Sequence, residues 1–319
     1  MTPPRRSAVA LALAAAALLL LDGRVASAEK FDATTQAALS RLPGNALLIA
    51  GLDVKAARRT AIFKQLAAAA TKDGKAKSGI ASLKSGAGFD YRRDVERVWL
   101  VVPADAASGR ERMAFLAKGK VDQNRFLTWL KKTEKAELKQ AGKLSYYRTG
   151  DSAWAFLGDG WLLVAHPDYV EQVLEAHARG TGRALDDAAL MTAVRAASRS
   201  SNHAWVATIV SPQMKSKLRE EALTRAFADL EWSACSATFG KSIKFRGEVR
   251  AATAEAASAL AGVLTMAVQM AGGNKNLADA GLATSLAATA VNSKDRTVSF
   301  SGSLPASKLA SAIGRFLGK

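Results

Sequence analysis

Cysteine is almost absent: Cys235 is the only one in 319 residues. A lone thiol closes no intramolecular disulfide, so the chain must be held by its apolar core. The stretch Trp232-Ser233-Ala234-Cys235-Ser236-Ala237 reads as a strand, and neither histidine nor a basic cluster lies near it. Cys235 is therefore expected to be a small buried thiol, not a nucleophile. Histidine is equally scarce. His166, His177 and His203 share no metal-ligand spacing, so no metal is expected. His177 falls on an apolar helix face, where a core role is expected. His166 ends a predicted strand before Pro167-Asp168, a place that suits catalysis, but it has no nucleophile or second ligand beside it. No Gly-x-Ser-x-Gly elbow occurs. Acidic residues number 28 against 45 lysines and arginines. Asp53, Asp122, Asp168 and Asp186 stand at predicted helix starts, where capping accounts for them. A two-carboxylate glycosidase pair can be dispersed along a chain, and nothing here selects one. The expectation is a protein without a cofactor and without a catalytic motif.

Phosphate-loop motifs are also missing. Thr71–Gly88 is rich in glycine, serine and lysine, but Lys77-Ser78 lacks the glycine that precedes the lysine of a phosphate loop. Gly86-Ala87-Gly88 lacks a third glycine, and no strand leads into either. The segment reads as a mobile basic loop whose Lys75, Lys77 and Lys84 are candidate anion contacts.

A long apolar run stands at the N-terminus. Arg5-Arg6 precede an apolar run, Ser7–Leu21, that is short for a membrane span. Ala26-Ser27-Ala28 is the small-residue pattern of a signal-peptide cleavage site. Residues 1–28 are thus expected to be a signal peptide, giving an exported chain, periplasmic or secreted, that starts near Glu29. The formal charge is +17; removing Arg5, Arg6, Arg24 and Asp22 leaves +15. In an exported protein such an excess favours an anionic partner: lipid head groups, a membrane surface or an acidic envelope polymer.

What the sequence does have is a recurring joint. Ile243–Arg250 alternates apolar Ile243, Phe245, Gly247 and Val249 with charged Lys244, Arg246, Glu248 and Arg250, the period of a half-buried strand, and a helix opens at Thr253. Phe115–Val121 before Asp122 and Val298–Leu304 before Pro305 repeat it. Further strands are predicted at 46–52, 95–102, 112–121, 144–148, 153–157, 161–165, 203–210, 232–239 and 283–291. Helices are predicted between them, and Leu277–Gly281 is read as a linker. The order of elements in 29–181 resembles that in 182–319. The expected fold is therefore α+β: two similar halves from an internal duplication, each a mainly antiparallel sheet with helices packed on one face. Lys118 and Lys120 in one half, and Lys244, Arg246 and Arg250 in the other, point away from the predicted core and are the main candidates for an anion-binding face. Five of the six tryptophans fall in predicted strands, which favours core packing over a nucleic-acid platform, so nucleic acid is not an expected partner. Three functions fit this pattern. The first is a non-enzymatic binding protein for an anionic envelope component. The alternatives are an assembly protein holding a protein partner in an apolar groove between the halves, and a hydrolase with a dispersed site.

Overall fold

The computed structural model describes residues 31–70, 74–105, 112–198, 201–220 and 227–317, so the expected signal peptide, 1–28, lies outside the described residues. Asp32 caps α1 (Ala33–Leu39), which leads to β1 (Ala46–Asp53). The Asp53 carboxylate accepts from the Ala56 N–H at 2.7 Å and opens α2 (Val54–Ala57). Then come α3 (Ala61–Ala70), α4 (Gly74–Ser82), a π-turn over Leu83–Ala87, and α5 (Tyr91–Asp94). The strands β2 (Val95–Pro103) and β3 (Ala114–Gly119) precede α6 (Gln123–Thr133), which Asp122 caps. Four short strands follow: β4 (Glu137–Ala141), β5 (Leu144–Thr149), β6 (Ser152–Phe156) and β7 (Trp161–Ala165). The chain continues through α7 (Pro167–Arg179), α8 (Ala188–Ala197), β8 (Ala204–Ile209) and α9 (Pro212–Glu220). It ends with β9 (Leu230–Phe239), β10 (Ser242–Ala251), α10 (Ala254–Gly273), α11 (Lys275–Asp279), α12 (Ala283–Ala287), β11 (Ala290–Lys294), β12 (Thr297–Pro305) and α13 (Ala306–Leu317).

The α+β class is as expected, but there are not two sheets. The twelve strands among the described residues form one sheet in the order β11-β12-β10-β9-β8-β1-β2-β3-β7-β6-β5-β4, every neighbour antiparallel. The join is β1 against β8, with Gly51 opposite Trp205. Pairing these two strands satisfies backbone donors and acceptors that two separate sheets would leave as open edges. A side chain on Gly51 would come within 2.4 Å of the Trp205 indole, so the seam closes only around a residue without one.

Helix coverage also departs from expectation. In the N-terminal half, α1, α7 and α8 cover one face through Leu39, Val170, Val173, Leu174, Leu190 and Val194, against Trp99, Leu116, Trp161 and Leu163. The opposite face is covered too: Phe126, Trp129 and Leu130 of α6 pack with Ala87 on Leu162, Trp154 and Phe156. The reason lies in β7. Its run Trp161-Leu162-Leu163-Val164-Ala165 does not alternate, and a strand apolar on both sides needs cover on both. The C-terminal half meets the one-face expectation only at its outer strands. There α9, α10, α12, α13 and α3 cover the side that carries Cys235, Ile243, Phe245, Val249, Val298 and Phe300. On the other side α8 lies over β8 and β9 and touches β10, and no described helix lies over β12 and β11.

Four local readings are corrected. The expected loop 71–88 contains α4 and the π-turn, fastened by Trp129, whose indole N–H donates to Ser82 Oγ at 3.0 Å. The strand expected at 283–291 begins as α12 and becomes extended only at Ala290, and the linker at 277–281 contains most of α11. Finally, α7 is capped by His166, whose Nδ1 accepts from the Asp168 N–H at 3.2 Å, not by Asp168.

Candidate anion-binding face

Alternation along β10 decides which side chains meet solvent. Ile243, Phe245, Gly247, Val249 and Ala251 point into the core, so Lys244, Arg246, Glu248 and Arg250 share the opposite face, Lys244 exposed and the other three half-buried, spaced by about 7 Å along the strand. Register places hydroxyls beside them. Lys244, Arg246, Glu248 and Arg250 stand opposite Ser303, Ser301, Ser299 and Thr297 of β12, and Thr238 and Ser236 of β9 flank Lys244 and Arg246. Asn292 and Lys294 of β11 extend the row past Ser299 and Thr297.

Two of the arginines are held in place. The Arg246 Nε donates to Ser236 Oγ at 3.1 Å, and an Arg250 guanidinium N–H donates to Thr297 Oγ1 at 3.0 Å. The Glu231 carboxylate is shared: one oxygen pairs with Arg296 and the other lies 4.0 Å from Arg250 Nε. Arg296 also donates to the Ala251 carbonyl at 3.1 Å. Lys244, Arg246, Arg250, Lys294 and Arg296 thus stand against Glu231, Glu248 and the hairpin-tip Asp295, a patch with net positive charge.

The other candidates lie elsewhere. Lys118 is on the same side of the sheet but five strands away, about 24 Å, with α1 and α8 over the strands between. Its ammonium donates to the Asp159 carbonyl and sits 5.3 Å from the centre of the Trp161 ring, which Arg41 also approaches, at 4.8 Å. Lys120 is exposed just beyond β3, where its backbone N–H donates to the Asp94 carbonyl at 2.8 Å. Its charge helps to hold the Asp94 carboxyl below the usual range, chiefly a consequence of the Arg93 hydrogen bond. Lys77 is exposed on α4, Lys84 lies 3.5 Å from Asp90, and the side chain of Lys75 lies outside the described residues. Of the sequence candidates, only the three on β10 come together. Sequence reasoning missed the partners that complete the face, Lys294, Arg296 and the β12 hydroxyls, although the alternation Thr297-Val298-Ser299-Phe300-Ser301 already carried the signal.

The remaining titratable groups have structural explanations. Burial pushes the Cys235 thiol up, which keeps it protonated and inert. His203 stacks on Phe239 and its Nδ1 accepts from the Phe239 N–H at 2.9 Å; burial lowers its pKa, with the Asp53 charge acting against that. His177 is half-buried and lowered, by burial first and then by Arg41. At the centre of the molecule Arg97 joins the Asp32 and Asp53 carboxylates beneath Trp99 and Trp205. Burial raises Asp32, but hydrogen bonds from Thr35 and the Arg97 charge outweigh it and leave the carboxyl below the ordinary range. Arg97 thereby ties the cap of α1 to the end of β1. Among the described residues no group of three histidine, cysteine or acidic side chains is placed to hold a metal ion.

No protein-family model matches the sequence, and no curated protein matches it. Among solved structures the fold is similar to TP0453 in its crystal forms III and IV, with TM-scores of 0.51 and 0.52 and 9% identity in each. The two alignments cover 87% and 86% of this chain and 97% and 96% of the other. At that identity the likeness is one of architecture: an α+β chain on a large antiparallel sheet.

Proposed function

We propose that the chain is an exported, non-catalytic protein that binds an anionic envelope component on the face of β10, β12 and β11 beyond the reach of α8. The observation that carries this reading is the row Lys244, Arg246 and Arg250 flanked by serine and threonine hydroxyls, at the end of the sheet where α8 no longer covers this side. Guanidinium and ammonium groups repeated at strand spacing suit oxyanions repeated along a polymer or a head-group layer. Ser236 and Thr297 reduce the freedom that Arg246 and Arg250 would lose on binding.

The reading includes a duplicated α+β unit as the scaffold. Its support is topological. Outward from the seam the strands run β1-β2-β3-β7-β6 on one side and β8-β9-β10-β12-β11 on the other, with β5 and β4 as an added hairpin. Each series begins after a helix, α1 or α8, and has a helix, α6 or α10, after its third strand.

The test separates the two sources of the anion. Binding of the chain from Glu29 onward is measured against soluble polyglutamate and polyphosphate in one arm and against phosphatidylglycerol vesicles in the other, each across a salt series. The expected result is salt-sensitive binding to soluble polyanion that weakens at least tenfold, as an order of magnitude, in the triple variant Lys244→Gln, Arg246→Gln, Arg250→Gln. Unchanged polymer binding by that variant, or no polymer binding by the wild type at low salt, removes the proposal.

A further inference from the structure

The helix α10 is apolar enough to be core, and the fold leaves it largely in water. It spans 20 residues, and only 11% of its most apolar stretch is buried. From Ala256 to Gly273 it carries no charged residue. Ala257 and Leu260 are fully buried against the sheet, and after Leu260 no residue of the helix is. Met266 and Met270, one turn apart on one side, are 55% and 70% exposed, and Ala259, Gly262 and Ala267 are exposed as well. The Thr265 hydroxyl donates to the Ala261 carbonyl at 2.8 Å, so even this polar group is partly satisfied within the helix. A helix apolar around its circumference normally belongs inside a core or a membrane. This one is fastened along one side, to β10, β11, β12 and α12, with Gly272 close against Ala287.

Its surroundings indicate what covers the other side. The basic helix α9 lies on the same side of the sheet, where Met214 and Leu218 share a cluster with Ala256, Ala261 and Leu264 of α10. Lys215, Lys217 and Arg219 belong to α9, where Arg219 pairs with Asp229 at 3.3 Å, and Lys275 stands one residue beyond the Asn274 that ends α10. The one acidic residue of α10, Glu255, is in its first turn, away from the methionines. An uncharged helix side next to a basic helix is the arrangement of an interfacial helix, which sinks its apolar side to the level of the acyl chains while lysines meet the head groups. Because Ala257 and Leu260 hold its first turns in the core, α10 lies along the surface and does not cross it.

We infer that α10, with α9 beside it, is a docking surface for an anionic lipid bilayer, with Met266 and Met270 as the inserted residues. The surface is on the opposite side of the sheet from Lys244, Arg246 and Arg250, so it is independent of the proposed polymer site and leaves that site free.

The experiment is flotation of the chain from Glu29 onward with vesicles of pure phosphatidylcholine and of equimolar phosphatidylcholine and phosphatidylglycerol. Wild type is expected to float with the anionic vesicles and not with the neutral ones. The double variant Met266→Asp, Met270→Asp is expected to lose at least tenfold in partitioning, as an order of magnitude, while keeping its thermal unfolding profile and its polyanion binding. Replacing Lys215 by Gln is expected to weaken flotation about fivefold. A Met270→Trp variant is expected to shift its emission to the blue on the same vesicles, which reports insertion without a disruptive charge. The triple β10 variant should float like wild type, so failure of this inference and failure of the polymer site are told apart. Flotation undiminished by the aspartates, or no flotation by wild type, overturns the inference. So does a wild-type dimer in solution that the aspartates dissociate, since the face would then belong to a second copy.

Discussion

The strands β7 and β10 belong to the same sheet and are buried in different ways. Trp161, Leu162, Leu163 and Ala165 of β7 are all buried, because α1 and α7 lie on one side and α6 on the other. Along β10 every second residue is buried, and the residues between carry charge. One strand is the interior layer of a three-layer sandwich, and the other is the outer wall of a two-layer one. The number of helix layers is therefore written in the strands themselves: an unbroken apolar run asks for two, an alternating run for one. The same difference decides where a binding face can exist. In the N-terminal half both sides of the central strands are spent on packing, and Lys118 is left at a rim beside Trp161. In the C-terminal half the side beyond α8, over β12 and β11, is free of described helices.

The comparison can be broken most directly at Phe126. It is fully buried and meets Phe89, Trp129, Trp154 and Phe156 with ring centres 5.5–5.7 Å apart. If the second helix layer is integral to the N-terminal half, Phe126→Ala costs about 3–5 kcal/mol in denaturant unfolding. A loss near that of a surface substitution would mean that α6 is only laid on the sheet, and that the two halves are built alike.

A smaller effect is expected in the C-terminal half at Gly247. A Cβ there would fall 2.3 Å from the Phe300 ring and 3.0 Å from the Cys235 Sγ, so the single helix layer of this half sits over a tightly filled sheet. Gly247→Ala should cost about 1–3 kcal/mol, read from the same unfolding curves. A neutral result would show slack in this core that the N-terminal half does not have.

How far the sequence exposes this difference varies by element. The alternation of β10 and β12 and the caps at Asp53, Asp122 and Thr253 are legible, because each is set by neighbours in sequence. So is the class of fold. The strand β4 is not. Glu137, Leu138, Lys139 and Gln140 are all exposed, and the strand exists through its backbone pairing with β5 at the sheet edge, which leaves no apolar pattern to read. The helix α4 is hidden by the opposite cause. Its glycines, serines and lysines look like a loop, and contacts made far away, from Trp129 to Ser82 and from Arg125 to the carbonyls of Ser85 and Gly86, fasten this segment. The candidate site was half legible for a related reason. Spacing within a strand puts Lys244, Arg246 and Arg250 on one face, but whether Lys118 joins them depends on strand order, which no local pattern records.

The seam between the halves carries a pH dependence that neither half has alone. His203 directly precedes β8, and its backbone carbonyl accepts from the Asp53 N–H of β1 at 2.7 Å. Its ring accepts a hydrogen bond from Phe239, and burial keeps its pKa below that of the unfolded chain. The neutral form is the one that fits, so its contribution is complete above about pH 6.5, the unfolded value, and is lost as pH falls through the lower folded value. His203→Asn should therefore flatten the fall in stability between neutral pH and about pH 5, measured by urea unfolding at each. His177 is depressed as well, and His177→Gln serves as the control for its share. A wild-type profile unchanged by His203→Asn would remove the seam from the account.

The smallest expected effect is the most discriminating one for function. Ser301 lies on the uncovered side of β12, opposite Arg246, while Phe300 beside it is buried. If that side is a solvated face kept polar for a ligand, Ser301→Val should change stability by less than about 0.5 kcal/mol and can even raise it, since valine suits a strand better than serine does. The matching change in the N-terminal half, Leu162→Ser, puts a hydroxyl between β7 and α6 and should cost several times as much, about 2–4 kcal/mol. A serine that stability does not need must be accounted for otherwise, and binding supplies the account. Ser301→Val should weaken polyanion binding measurably while leaving the unfolding midpoint in place. If both measurements stay flat, the hydroxyls of β12 are only a solvated surface, and the proposed site narrows to the arginines and Lys244 alone.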